Sequence, residues 1–173
     1  MEWILWIVSS YLAFSVAYYA LFALSAYLYC PPKLNLDCPP QRIAVLIPAY
    51  REDGVIVDTV RNVLEQNYPR SQYDVVVIGD SLQEQTLRTL RLLPIYLLEP
   101  SFEKSSKVNA LNYAMEVLTD DYEMALILDA DNHLEPDFLK KVNAYYGPQN
   151  PVIQAHRTAK NQQYLLCPPG CYQ

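Results

Sequence analysis

Four short apolar runs punctuate the chain: 42–47 (RIAVLI), 74–78 (DVVVI), 95–98 (IYLL) and 123–128 (EMALIL). None alternates apolar with polar residues, so each must be covered on both faces. That is the condition of a parallel sheet with helices on its two sides. The stretches between the runs carry a helical period instead. Residues 55–66 place Val55, Ile56, Val60, Val63 and Leu64 on one face. Ser81 and Glu84 have capping-box spacing, and Leu87, Leu90 and Leu93 continue the helix they open. A third helix over 107–118 sets Val108, Leu111, Met115 and Leu118 together. Pro48 is expected to stop the first strand, and Asn67-Tyr68-Pro69 the first of these helices. Pro136 suits the first turn of a further helix reaching about Tyr145. Residues 152–155 then predict a fifth strand.

A different segment stands in front of this α/β pattern. From Trp3 to Cys30 no residue is charged, and a hydrocarbon core needs roughly 20 helical residues to cross. Trp3 and Trp6 mark one end and Tyr27 and Tyr29 the other, where amphipathic rings favour the interface. A cleaved signal would want a basic start, a core of about 7–15 apolar residues and a small-residue cleavage site. Here the start is Glu2, the core is far longer, and Tyr27, Leu28 and Tyr29 are too bulky to precede cleavage at Cys30. The segment therefore reads as an uncleaved transmembrane anchor over 1–30. Glu2 precedes the span and Lys33, Arg42 and Arg51 follow it, which predicts a single-pass protein of the cell membrane with its folded domain in the cytoplasm. Residues 31–41 (PPKLNLDCPPQ) hold four prolines and form a stiff linker. The α/β domain occupies 42–161, and 162–173 (QQYLLCPPGCYQ) is an irregular tail.

The formal charge of −6, near −5 once Glu2 is set aside, comes without a basic run, so nucleic acid is not an expected partner. Cys30, Cys38, Cys167 and Cys171 fit no metal-binding spacing and are expected to be reduced thiols. No Gly-X-Gly-X-X-Gly follows any strand, and residues 48–54 hold a single glycine. These features argue against a dinucleotide-dependent oxidoreductase and a nucleotidyltransferase.

Ligands of parallel sheets bind beyond the carboxyl ends of the strands. The first strand is followed by Pro48-Ala49-Tyr50-Arg51-Glu52-Asp53-Gly54, the second by Gly79-Asp80-Ser81, and the fourth by Asp129-Ala130-Asp131-Asn132. The loop after the third leads into Lys107. Two carboxylates one residue apart at the end of a buried strand repel each other, and a hard cation such as Mg²⁺ or Mn²⁺ offsets that cost. Asp129 and Asp131 are the candidate metal ligands. Asp80 is placed to accept from a base N–H or a ribose hydroxyl, and Tyr50 to pack on a base. Lys107, opening a helix, is placed to meet a diphosphate. His133, two residues beyond the acidic pair, reads as a turn or helix-start residue, and His156 carries no assignment.

Taken together, Ile47-Pro48-Ala49-Tyr50-Arg51-Glu52, Gly79-Asp80-Ser81, Lys107-Val108-Asn109-Ala110-Leu111-Asn112 and Leu128-Asp129-Ala130-Asp131 resemble a family-2 glycosyltransferase. The resemblance covers about residues 42–156. It implies a GT-A fold, an N-terminal transmembrane helix ahead of a Rossmann-like nucleotide-binding half with a mostly parallel sheet. It further implies transfer of a sugar with inversion from a nucleotide-diphosphate donor, a UDP-sugar by default. Pro48, Ala49, Tyr50, Glu52 and Asp80 would hold the nucleobase and ribose. Lys107 would lie beside the donor, Asp129 would touch the ribose or metal, and Asp131 would ligate the metal. The sequence departs from the family twice. Gly79 stands where an acidic residue is common, and the acceptor-side Thr-Glu-Asp and Gln-X-X-Arg-Trp motifs are not found. The resemblance therefore supplies no catalytic base. It predicts a truncated donor-binding half, weakly active or inactive alone, the alternative being a non-catalytic membrane-tethered nucleotide-binding domain. A sheet cut after its fifth strand would leave an edge for a protein partner to cover.

Overall fold

The computed structural model describes residues 2–28, 36–118, 121–155 and 157. Cys30, Lys33, His156, Cys167, Cys171 and the 162–173 tail lie outside the described residues. Two units separate, one within Met1–Leu34 and one within Asn35–Gln173.

The first unit holds one helix, α1, Glu2–Leu28, with no buried residue. Its 27 residues span about 40 Å at the α-helical rise. It is long and apolar enough to cross a membrane. Two of its serine hydroxyls are satisfied from within: Ser15 Oγ donates to the Tyr11 carbonyl at 2.9 Å and Ser25 Oγ to that of Leu21 at 2.8 Å.

The second unit is a four-stranded parallel sheet of order β3-β2-β1-β4. The strands are β1 (Ile43–Tyr50), β2 (Tyr73–Asp80), β3 (Tyr96–Leu98) and β4 (Met124–Ile127). Four helices accompany them: α2 (Ile56–Leu64), α3 (Glu84–Leu90), α4 (Lys107–Val117) and α5 (Phe138–Tyr145). The apolar runs are buried on both faces as their composition requires. Ile43, Val45, Ile47 and Ala49 of β1 join Val75 and Val77 of β2 in a core with Ile56, Val60, Val63, Leu90 and Leu139. Ala44, Leu46, Val76 and Ile78 turn to the opposite side and meet Ala110 and Ala114 of α4. The chain steps outward from β1 to β2 to β3, then crosses back to place β4 on the other side of β1. The reversal makes the carboxyl ends of β1 and β4 a topological switch point.

Four details differ from the sequence expectation. Pro48 does not stop β1, which runs on to Tyr50 in register with β2. Leu46 directs its carbonyl at β4, accepting from Leu128 N at 2.9 Å. Residues two apart point the same way, so the missing N–H of Pro48 faces the side where β4 has already parted from β1. Second, Ser81 and Glu84 form no capping box: α3 begins after Gln83, and Ser81 Oγ bonds Asp80 instead. Third, 152–155 form no strand, and Val152 is 88% exposed.

The fourth concerns α4. Its buried face is Ala110 and Ala114, with Leu111 and Leu118 alongside, while Val108 and Met115 are exposed. Residues 107, 110 and 114 share a helical face, so the rotation that seats the alanines also carries Lys107 over the end of the sheet. Substitution separates the two registers. Ala114→Leu is expected to cost about 1–3 kcal/mol by overpacking. Met115→Glu is expected to stay within about 0.5 kcal/mol of the parent in urea unfolding. A near-neutral Ala114→Leu with a damaging Met115→Glu would restore the face expected from sequence.

Candidate functional site

A cavity of about 370 Å³ opens at the switch point. Pro48, Ala49, Tyr50 and Glu52 line it from the end of β1, and Ile78 and Asp80 from β2. Ser105, Ser106, Lys107 and Ala110 come from the start of α4, Asp129, Ala130 and Asp131 from the end of β4. Arg157 completes the lining. All eight candidate residues, Pro48, Ala49, Tyr50, Glu52, Asp80, Lys107, Asp129 and Asp131, thus share one wall-to-wall cleft.

The strand ends are shaped by backbone that most residues avoid. Arg51 and Ser81, directly after β1 and β2, have φ of 55° and 57°. Such left-handed conformations cost about 1–3 kcal/mol at a non-glycine residue and concentrate at functional sites. Here they are held by neighbours. Arg51 N donates to the Asp80 carbonyl at 3.2 Å, and Ser81 Oγ donates to Asp80 Oδ1 at 2.9 Å. Asp53 ties the same two loops together, its Oδ1 accepting from Gln83 N at 2.8 Å. Its hydrogen bond from Thr86 holds its carboxyl below the ordinary value. Asp80 is left buried at 6% exposure. The Arg51 guanidinium lies 5.0 Å from the centre of the Tyr50 ring, orienting an aromatic face that is itself half-exposed.

The acidic turn after β4 is fixed from α2. Thr59 Oγ1 donates to the Ala130 carbonyl at 2.6 Å. One turn on, Asn62 brackets Leu134, accepting from its N–H at 2.7 Å and donating to its carbonyl at 3.1 Å. Gln66 does likewise, donating to the Glu135 carbonyl at 2.7 Å and accepting from Leu139 N at 3.2 Å. These residues were not singled out from the sequence. Their helical spacing beside an apolar face is visible in the sequence, but it carries no sign of partners about 70 residues onward.

Asp129 and Asp131 are electrostatically unlike. Lys107 Nζ donates to Asp129 Oδ1 and Arg157 Nη2 to Oδ2. The hydrogen bond from Lys107, with the charge of Arg157 behind it, holds the Asp129 carboxyl below its ordinary 3.8. Asp131 is exposed and makes no hydrogen bond or ion pair with the described residues. A carboxylate with a depressed pKa contributes its pairing fully above the ordinary value and loses it only as pH falls through the lowered one. A carboxyl ¹³C titration of Asp129 is therefore expected to show a midpoint below 3.8. A midpoint at or above that value would contradict the ion pairs. Among the described residues no three His, Cys, Asp or Glu side chains gather to hold a metal by themselves. The donor set suits instead a hard cation that takes one or two carboxylates and completes its shell with phosphate oxygens and water.

α4 presents its amino end to this cleft, capped by Ser106 Oγ accepting from Asn109 N at 3.1 Å. Helix amino ends and a lysine together attract anions. Residues 39–172, most of the chain, match the family described as Glycosyltransferase like family 2. The chain belongs to glycosyltransferase family 2.

Hyaluronan synthase of Streptococcus pyogenes serotype M3 is 26% identical to it over 150 residues, 82% of this chain and 35% of that protein. Mannosyltransferase PcManGT from Pyrobaculum calidifontis, solved in complex with GDP-Man and Mn²⁺, superposes with a TM-score of 0.63 at 26% identity. That superposition covers 78% of this chain and 41% of the mannosyltransferase. S. aureus TarS 1–349 in complex with UDP shares the fold, with a TM-score of 0.54 at 21% identity over 60% of this chain and 31% of that one. The chain spans about a third of the length of the curated relatives it matches. As a family-2 glycosyltransferase domain it has a GT-A, Rossmann-like α/β fold. Gly79, the family departure, has its absent side chain directed away from the cleft: a Cβ there would meet Leu82 Cδ1 at 2.9 Å and Leu87 Cδ2 at 3.6 Å. Glycine at 79 thus removes no group from the cavity wall.

Proposed function

We propose that the cleft between β1 and β4 binds the nucleoside diphosphate of a sugar donor together with Mg²⁺ or Mn²⁺, as the donor site of a membrane-anchored glycosyltransferase. The observation that carries this reading is the meeting of Lys107, the amino end of α4 and the Asp129–Asp131 turn in one cavity. A negative diphosphate is favoured by the first two, and a hard cation by the third. On the other wall, the Asp80 carboxylate accepts from the base or ribose, beside Glu52 and the backbone of Pro48 and Ala49. Tyr50, its ring steadied by Arg51, offers a stacking face to the base. Asp131, the unengaged carboxylate, would be the principal metal ligand, with Asp129 joining it as Lys107 turns to the phosphates. When bound, the cation supplies Lewis acidity toward the leaving diphosphate.

The mannosyltransferase relative is in complex with GDP-Man, and the TarS neighbour with UDP. UDP remains the default nucleotide here and GDP the contender. α1 serves as a single membrane span with the folded domain on the cytoplasmic side, following the excess of Lys33, Arg42 and Arg51 after the span. The exposed Ile127 on β4, an edge strand among the described residues, marks where a protein partner or further chain would cover the sheet.

Calorimetric titration of the full chain in detergent micelles tests the reading. UDP or GDP is expected to bind saturably with Mn²⁺ present and weakly with the metal chelated. No binding of either nucleotide in both conditions would rule it out.

A further inference from the structure

Among the described residues, Arg157 is the one charged residue of the cavity lining that belongs to none of the motifs, and it has no role in the reading above. It stands 28 residues beyond Asp129, yet its Nη2 donates to that carboxylate. Lys107 already occupies the other oxygen of the same group. One carboxylate therefore holds two cations, a surplus of positive charge set beside the amino end of α4. Asp131 meanwhile has no partner among the described residues. This is a poor arrangement if Arg157 serves only to neutralise acid, because the free carboxylate is two residues away. Its side chain is also 75% exposed, so the contact is held loosely and ordering it adds little stability. Carboxylates and phosphates both offer paired oxygens to a guanidinium fork, and arginine reads either one.

We propose that Arg157 is a specificity residue that counts phosphates: it rests on Asp129 in the empty cleft and transfers to the diphosphate when a donor enters. The proposal rests on the nucleotide reading of the cleft. Its exchange also releases one Asp129 oxygen toward the cation side of the site. Arg157 thereby separates nucleoside diphosphates from monophosphates, whereas Asp80 and Tyr50 serve both alike.

The test is calorimetry on the full chain with UDP and UMP (or GDP and GMP, whichever base binds) at fixed Mn²⁺. The parent is expected to prefer the diphosphate. Arg157→Gln should lower diphosphate affinity about tenfold to a hundredfold, the scale of a charged hydrogen bond, and leave monophosphate affinity unchanged. Arg157→Lys should fall between them, keeping charge but losing the fork. Unchanged thermal midpoints in both variants are expected of so exposed a side chain. Arg157→Gln binding the diphosphate as the parent does, or losing both nucleotides equally, would overturn the proposal while leaving the donor site standing. A parent chain that binds neither nucleotide would remove the donor-site reading and this inference with it.

Discussion

Asp131→Ala is expected to abolish metal-dependent binding of the nucleoside diphosphate, lowering affinity by roughly 3 kcal/mol, or about a hundredfold. The size follows from the contrast within the acidic turn. Asp129 is engaged by Lys107 and Arg157, whereas Asp131 is exposed and unengaged among the described residues. Asp131 would be the carboxylate open to a cation bound with the diphosphate; without it, the turn would offer only a carboxylate already shared between two positive groups. The fold has no stake in the substitution, since no hydrogen bond is broken, so the thermal midpoint should not move. Residual affinity in Asp131→Ala should become insensitive to chelation. If this variant kept both the affinity and the metal dependence of the parent, Asp131 would not be the ligand.

Thr59→Val should produce the second large effect, and it acts at a distance. Thr59 is wholly buried, and its hydroxyl reaches the Ala130 carbonyl at 2.6 Å, between the two aspartates. Valine has nearly the same shape, so packing is kept while a buried carbonyl loses its donor. That costs about 1–3 kcal/mol. Urea unfolding should show this loss. Because α2 then holds the acidic turn only through Asn62 and Gln66 further along, metal-dependent diphosphate affinity should fall as well. Monophosphate binding in the absence of metal should not, since Asp80 and Tyr50 are anchored by separate contacts. Thr59→Ser, which restores the donor, should recover most of the affinity; a serine variant as impaired as valine would point to packing alone.

The sheet and the rim of the cleft were legible in the sequence because they rest on local signals. A β-branched apolar run bounded by polar residues specifies a buried strand wherever it is packed, and strand ends at a parallel sheet's carboxyl edge converge by topology. That is why Asp80, Asp129 and Asp131, far apart in sequence, proved to line the same cavity. What was not legible depended on distant partners. Ser81 has the spacing of a capping residue, but the buried Asp80 beside it claims its hydroxyl. Val108 and Met115 look like a core face, yet small alanines allow α4 to approach the sheet more closely and aim Lys107 at the cleft. Residues 152–155 are apolar enough for a strand but gain no ladder partner among the described residues. Thr59, Asn62 and Gln66 find their partners about 70 residues away, beyond the reach of any periodic pattern. Arg157 is a single cation after an apolar run and has meaning only once Asp129 is placed beside it.

The central claim is that this cleft holds a nucleoside diphosphate and a divalent cation, and a crystal of the chain grown with UDP or GDP and Mn²⁺ tests it most directly. Anomalous scattering locates manganese without reference to the nucleotide. The account predicts a manganese peak at the Asp131 carboxylate, with the diphosphate between it and Lys107 and the base near Asp80 and Tyr50. Manganese and nucleotide bound together anywhere else on the domain would contradict it.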